Sequence, residues 1–522
     1  MKQLSFLPYS LLSGFFLAAG WPMFPSTFFL FIAFVPLLIL AEKTSKATTF
    51  FLHSFIATLI WNVATTWWIW NSTDIGSVVA IVANSLLMCL PLRLYFSIQQ
   101  KQNKFLATVA FISLWMLFEY IHLNWQLSWP WLSIGNAFAS QTNWIQWYEY
   151  TGIAGGTIWV LITNIFVKNV YDCWQQKQAI TASISKAVLI IIAPIALSYL
   201  IKPSITTTNK LDNVVIVQPN IDPYQKFNEA NASTQIAQLI QLSNQYIDSN
   251  TKLTIWPETA LSVVTRENEI SSNVYYQPVI NLVQLHQNNS IITGIETYKQ
   301  YGFEKGSKTA RKASDGSFYD VFNAAVRLSN NDSISLYNKS KLVPGVESMP
   351  TFLNFLGSIF EQFGGTTGGY GRSDSSTVFT SKNNPYKAAP VICYESIYGE
   401  YVGTYVKKGA NMIAIITNDG WWGNTPGHQQ HLAYAQLRAI ETRRWIARSA
   451  NTGISAVINN VGEIVITEKW DTAGVIKAAI PTNDALTFYV QYGDYLYKIF
   501  SLIGFALIIF QLILWLSKKV RK

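Results

Sequence analysis

Apolar residues cluster toward the two ends of the chain in long runs, and the middle alternates short β-branched runs with polar stretches. A spanning helix needs about 20 mostly apolar residues. Seven segments before residue 205 approach that requirement, at roughly 5–20, 26–41, 50–70, 77–98, 105–123, 152–167 and 187–201. An eighth runs from about 499 to 517, and nothing comparable lies in 206–490. The first segment also has the outline of a secretory signal, with Lys2 ahead of it and Leu17-Ala18-Ala19-Gly20 as a cleavage site. A second apolar run follows within a few residues, which favours an uncleaved first span.

Basic residues orient these spans. They stand at Lys2, Lys43 and Lys46, then in 93–104, 168–186 and 518–522, whereas 3–42, 47–92 and 105–167 contain none. The loops near 21–25, 71–76 and 124–151 are therefore bare of positive charge, as the positive-inside rule requires of the far side. The prediction is an α-helical transmembrane bundle of eight spans with both termini cytoplasmic. Its parts are a transmembrane domain at 1–204, an extracytoplasmic domain at 205–485, and a last span with a basic tail at 486–522. Composition fits. Only 13% of the 522 residues are charged and 50% are hydrophobic, against about 25% charged in an average soluble domain. This excludes a disordered, collagenous or coiled-coil chain and an ordinary soluble enzyme. The net charge of +9 follows mostly from topology. No basic cluster interleaved with aromatics marks a nucleic-acid surface.

Two features of the spans stand out. The loop 124–151 holds five Trp and two Tyr, which suits an interfacial belt or the wall of a lipid-facing cavity. Glu119 sits inside the fifth span, where a carboxylate must face protein or water. Function and structural hydrogen bonding are both open to it.

From residue 213 the pattern predicts strands at 213–219, 252–256, 290–296, 321–328, 333–337, 389–393, 412–417, 454–459 and 463–467, and helices at 232–248, 274–287 and 428–449. Near-continuous apolar strands such as NMIAIIT imply burial on both faces. The expected fold is an α/β sandwich with helices covering the strands on one side. The glycine-rich 364–371 (GGTTGGYG) follows an apolar stretch at 352–363 and lacks the lysine and spacing of a P-loop. A lid suits it better.

The chemistry lies just past three strands. Glu258 follows Trp256-Pro257, Lys339 follows Tyr337-Asn338, and Cys393 closes Val391-Ile392-Cys393. Cys89 falls in a span and Cys173 on the cytoplasmic side, so neither can pair with Cys393. A free cysteine is often only a small buried hydrophobe. Set beside a carboxylate and an ammonium, it becomes a sensible nucleophile. The cation lowers the thiol pKa, the carboxylate moves protons, and the ammonium with backbone N–H groups stabilises an oxyanion.

WPE, then YxKxxLVP, then CYE, then NDGWW resembles the nitrilase superfamily, and with eight spans around it the whole chain resembles the bacterial apolipoprotein N-acyltransferases. Gln218-Pro219-Asn220, the Pro130-Trp131 loop and the HQQHLAYAQLRAIETRRWIARSANTG segment match as well. The resemblance implies a nitrilase-like αββα sandwich in the periplasm of a multi-pass inner-membrane protein. It implies Glu258 as general base, Lys339 as oxyanion stabiliser and Cys393 as nucleophile. It further implies Glu347 as a second essential carboxylate, Tyr394 and Glu395 as pocket residues, and Trp421 and Trp422 as pocket lining. The donor would be a phospholipid and the acceptor a diacylglyceryl apolipoprotein, with a thioester between them. No cofactor, metal or nucleic acid is expected, and nothing demands more than a monomer. One departure matters: the family usually reads LVPFGE, whereas this chain reads Leu342-Val343-Pro344-Gly345-Val346-Glu347. Lys341 is a decoy for Lys339, since only Lys339 sits two residues after the Tyr.

Three rival readings stand beside this one. A membrane-anchored amidase or phospholipase would employ the same residues with water as acceptor. A transporter fits poorly, because the spans show few intramembrane charges and no repeated halves. His428 and His431 share a helix face, yet no third metal ligand stands out.

Overall fold

The computed structural model describes residues 4–520 apart from 23, 25, 208–212, 331, 349–368 and 383. The apolar 352–363 and most of the glycine-rich loop lie outside the described residues. The chain divides into two compact units, one of residues 1–70, 74–202 and 492–522, the other of 71–73 and 203–491.

Among the described residues, six helices are long and apolar enough to cross a membrane: Ala47–Asn71, Asp74–Gln99, Lys104–Asn124, Tyr148–Gln175, Thr181–Ile201 and Tyr495–Ser517. The first two predicted segments form shorter pieces. Leu7–Ala19 is a helix of 13 residues, and the second divides into a 3-10 turn at Thr27–Ile32 and a helix at Val35–Lys43. Pro36 lacks the N–H that would continue the ladder. Asn164 serves the interruption, its Oδ1 accepting from Phe34 N at 2.7 Å and its Nδ2 donating to the Leu30 carbonyl at 2.7 Å. Apolar side chains face outward from the later helices, with Leu200 82% and Leu502 72% exposed, a surface that water would penalise.

Glu119 resolves as structural. It is buried and accepts from Trp115 Nε1 (2.9 Å), Ile134 N (2.8 Å), Thr157 Oγ1 (2.8 Å) and Tyr497 OH (2.6 Å). Four donors fill the carboxylate's capacity and join three helices to the tryptophan-rich loop. In that loop Trp131, Trp147 and Tyr148 are buried, and Trp131 packs on Trp68 and Trp129 at 4.9 and 5.4 Å. Those rings are interior packing, which leaves Trp125, Trp129, Trp144 and Tyr150 for an interfacial belt.

The second unit contains two sheets. The first is built from β1 (Val214–Gln218), β2 (Leu253–Ile255), β3 (Leu261–Arg266), β4 (Ser290–Gly302), β5 (Arg311–Lys312), β6 (Phe318–Ser329), β7 (Ser335–Asn338) and β14 (Gly474–Ala478). Its main order is β14-β1-β2-β4-β6-β5, with β3 on β4 and β7 on β6. The second sheet runs β13-β12-β11-β10-β9-β8, from β8 (Phe379–Ser381), β9 (Asn384–Ile392), β10 (Met412–Thr417), β11 (Ile446–Ala450), β12 (Ala456–Ile458) and β13 (Ile464–Thr467). Strands β1, β2 and β4 are parallel in one sheet, and β9, β10 and β11 in the other.

Side chains alternate across a strand, and β1 shows what that does here. Val214 and Ile216 enter a core shared with Val391, Ile413 and Ile415 of the opposite sheet, while Val215 and Val217 meet Ile236, Leu239, Val279 and Leu282 of the covering helices. Each fully buried Val, Leu or Ile contributes roughly 1.5–3 kcal/mol, so both faces are committed. The helix expected over 428–449 instead ends early. It runs Pro426–Thr442, Arg443 turns left-handed at φ 51° and ψ 36°, and Ile446–Ala450 pairs parallel with β10. Tertiary pairing overrides the helical periodicity there. Strands β3, β5, β8 and β14 and the helix Gly399–Lys407 also escaped the hydrophobic pattern.

Candidate active site

Strands β2, β7 and β9 each deliver one polar residue as they end. β2 runs into Trp256-Pro257-Glu258, and Gly294 N donates to the Pro257 carbonyl at 3.0 Å. Gly294 lets β4 approach this turn, because a Cβ there would overlap Thr259 N and lie 2.5 Å from Glu258 Cα. β7 ends at Asn338, and Lys339 N still donates to the Asn323 carbonyl of β6 at 2.9 Å. β9 ends at Ile392, and Cys393 follows with φ 48°, a backbone region in which only glycine sits without strain. Such an elbow turns the thiol out of the strand.

The charged groups meet closely. Lys339 Nζ lies 3.2 Å from Glu258 Oε1 and 2.8 Å from Glu347 Oε1. Asn323 Nδ2 donates to the same two oxygens, at 2.8 and 3.0 Å. Burial opposes the Lys339 charge, but Glu258 and then Glu347 hold its pKa well above the ordinary lysine value. Cys393 keeps partial exposure. Burial pushes its thiol up, Glu258 adds to the shift, and Lys339 opposes it. Lys339 thus acts in the expected direction, and burial outweighs it. Lys339 is shared between two carboxylates, Glu258 and Glu347.

The departure at Gly345-Val346 is accommodated. Gly345 has φ 82°, its N–H reaches the Ser348 carbonyl at 2.8 Å, and Glu347 N reaches the Val343 carbonyl at 2.9 Å. Val343 N donates to Glu347 Oε2 at 2.8 Å, so the carboxylate presents its other oxygen to Lys339. The decoy Lys341 lies elsewhere, its ammonium 5.0 and 5.6 Å from the Tyr398 and Tyr401 ring centroids.

Glu395 is fully buried and accepts from Tyr337 OH (2.5 Å), Ser340 N (2.7 Å) and Ile392 N (2.9 Å). It binds the residue after Lys339 to the residue before Cys393, which makes it a clamp between the two loops. Tyr394 is buried edge-on against Tyr398 at 5.4 Å. Trp421 and Trp422 remain half-exposed, Trp421 against Tyr224 at 5.4 Å and Trp422 against His431 at 5.6 Å.

Sequence reasoning missed a second layer. Arg448 Nη2 lies 2.5 Å from Asp419 Oδ2, Asp419 Oδ1 lies 2.9 Å from His431 Nδ1, and His431 Nε2 lies 3.2 Å from the Cys393 carbonyl oxygen. Burial works against the Asp419 charge, yet Arg448 and His431 depress its pKa far below the usual carboxylate range. His428, the other histidine of the metal reading, stacks on Trp470 at 4.0 Å. Asn323 and Lys226 were also missed, and Lys226 Nζ donates to the Glu258 backbone carbonyl at 2.5 Å. Asp419, His431 and Arg448 fall within the matched segments, but no local pattern says what any of these residues binds, since these partners stand at least 12 positions away.

Residues 213–487 match the family described as carbon-nitrogen hydrolase. The chain belongs to that family. Residues 13–166 match a second description, the apolipoprotein N-acyltransferase N-terminal domain. Relatives named apolipoprotein N-acyltransferase agree over most of the length. The one from Chlorobaculum tepidum is 29% identical, covering 94% of this chain and 93% of that protein. The one from Rickettsia prowazekii is 29% identical over 76% and 74%, and that from Pseudomonas putida 26% over 85% and 85%.

Proposed function

We propose that this chain is an apolipoprotein N-acyltransferase that works through a thioester on Cys393. In the first half-reaction Glu258 takes the Cys393 proton as the sulfur attacks an ester carbonyl of a membrane phospholipid. The C–O bond breaks, Glu258 returns the proton to the departing alkoxide, and a lysophospholipid leaves. In the second, the α-amine of a diacylglyceryl-cysteine attacks the thioester. Glu258 takes the amine proton, the C–S bond breaks, and the thiol is restored. Lys339 stabilises the oxyanion in both halves. Glu347 and Asn323 hold Glu258 and Lys339 in register, and Trp421 and Trp422 line the approach.

The observation that carries this reading is the ion-paired group of Glu258, Lys339 and Glu347 within electrostatic reach of the strand-end Cys393. A thiol whose pKa burial pushes up needs a base to take its proton, and of the carboxylates that act on it, Glu258 acts most strongly. Apolar helices before and after the catalytic domain in the sequence suit substrates that are themselves held in a membrane. The topology we propose has eight spans, both termini in the cytoplasm and residues 205–485 in the periplasm, consistent with the basic residues of alternate loops.

Mass spectrometry of the full chain after incubation with phospholipid vesicles tests this directly. The expected result is a gain of one acyl group on Cys393 that persists until a diacylglyceryl-cysteine peptide is added. Undiminished acyl transfer by Cys393→Ala would sink the mechanism. A thioester discharged by water at the same rate without amine would make the protein a hydrolase instead.

A further inference from the structure

Cys393 sits at φ 48°, where only glycine rests without strain, and a strained backbone persists only where its surroundings over-determine it. Its carbonyl oxygen is met by Ser396 and His431. Ser396 Oγ donates to it at 2.8 Å, and His431 Nε2 lies 3.2 Å away. The same ring nitrogen lies 2.9 Å from Ser396 Oγ. A carbonyl oxygen only accepts, and the single hydroxyl proton of Ser396 already goes to it, so His431 Nε2 is the donor to both oxygens. Both side chains are buried, which leaves no solvent to replace either contact. Behind the ring, Asp419 Oδ1 lies 2.9 Å from His431 Nδ1, and Asp419 is held in turn by Thr417 Oγ1 at 2.9 Å and Arg448 Nη2 at 2.5 Å. Helix Pro426–Thr442, β10 and β11 thus brace one imidazole against the turn that carries the thiol.

We propose that His431, acting with Ser396, is a positioning residue for Cys393: the pair pins the Cys393 carbonyl and so keeps the sulfur turned out of β9. The inference rests on the reading of Cys393 as nucleophile. Fixing the carbonyl fixes rotation about the Cα–C bond of Cys393. A released carbonyl lets the residue relax toward the extended backbone of β9, and the direction of a side chain follows its backbone. His431 touches no reacting atom. Its effect reaches the sulfur through the main chain of Cys393.

The test is single-turnover acylation of Cys393 in the full chain, with vesicles of phosphatidylethanolamine and phosphatidylglycerol and mass-spectrometric readout. The amide nitrogen of Gln can stand where His431 Nε2 stands, and that of Asn where Nδ1 stands. His431→Asn keeps the contact with Asp419 and loses the donor to the turn, so its rate constant at saturating lipid should fall on the order of 10- to 100-fold, with the half-saturating lipid concentration unchanged. His431→Gln restores the donor and should recover most of that rate. A partly unfolded variant lowers the amplitude of acylation, whereas a misplaced thiol lowers its rate constant. Equal losses of rate constant in the two variants, or a greater loss in His431→Gln, overturn this inference alone. If neither variant folds, Ser396→Ala decides: a rate constant lowered about tenfold supports the inference, and one within about twofold of the unaltered protein overturns it. Absence of acylation in the unaltered protein overturns the acyl-transfer reading and this inference with it.

Discussion

Gly294 offers a sharp test of how tightly the Glu258 turn is held. A methyl group at that position would lie 2.5 Å from Glu258 Cα and 2.6 Å from its carbonyl carbon. Carbon atoms rest about 3.5 Å apart, so the turn must retreat by about 1 Å. It cannot relax by rotating a side chain, since the obstructing atoms are backbone, and Gly294 N is itself bonded to the Pro257 carbonyl. Glu258 would then lose its 2.8 Å contact with Asn323 and its 3.2 Å contact with Lys339. A misplacement of about 1 Å at a reacting group costs on the order of 100-fold in rate. Gly294→Ala should therefore slow Cys393 acylation by about that factor, measured by mass spectrometry under single-turnover conditions. Gly403→Ala is the control, because a methyl there meets only Val490 at 3.9 Å in a helix where alanine is favoured. Acylation by Gly294→Ala within about threefold of the unaltered protein would refute the argument that this turn fixes a general base.

Three further outcomes follow from the site. Lys339→Met should lose on the order of 100-fold or more in acylation, whereas Lys341→Ala should retain it within a few-fold; equal losses would undo the assignment of Lys339. Asp419→Asn should cost about 3–5 kcal/mol, because it leaves Arg448 buried without its counter-charge, and chemical denaturation reads this directly. The Asp419 pKa is depressed by folding, so its stabilisation is complete above the unfolded carboxyl value of about 3.9 and fades as pH falls below it; Asp419→Asn should show a shallower acid dependence than the unaltered chain. Burial raises the Cys393 thiol, so its alkylation by iodoacetamide should be slower than that of a free cysteine and still climbing at about pH 9. A plateau below about pH 7 would mean a preformed thiolate.

Much of this protein is decided locally and can be read from the chain. The apolar segments and their basic flanks are local properties, because a bilayer judges each segment by its own length and charge. The αββα core is nearly as legible, since two-sided burial writes itself as continuous apolar runs such as β10. Glu258, Lys339 and Cys393 are legible as candidates because each follows a strand; β2 and β9 are parallel strands, which deliver chemistry at their carboxyl ends, whereas β7 pairs antiparallel with β6. Only the tertiary structure decided what surrounds them. Residues that share one lysine, Glu258 and Glu347, stand 81 and 8 positions from it. Glu395 acts as a clamp because two distant donors, Tyr337 and Ser340, and the nearby Ile392 N converge on it. The strand Ile446–Ala450 was taken for helix because its partner β10 lies more than 25 residues earlier. Lys226 and Asn323 carry no local signal, and the motifs that contain Asp419, His431 and Arg448 do not say that the three bind one another. Sequence spacing reports the period of a helix or strand, whereas a buried charge is explained only by the partner that folding brings to it.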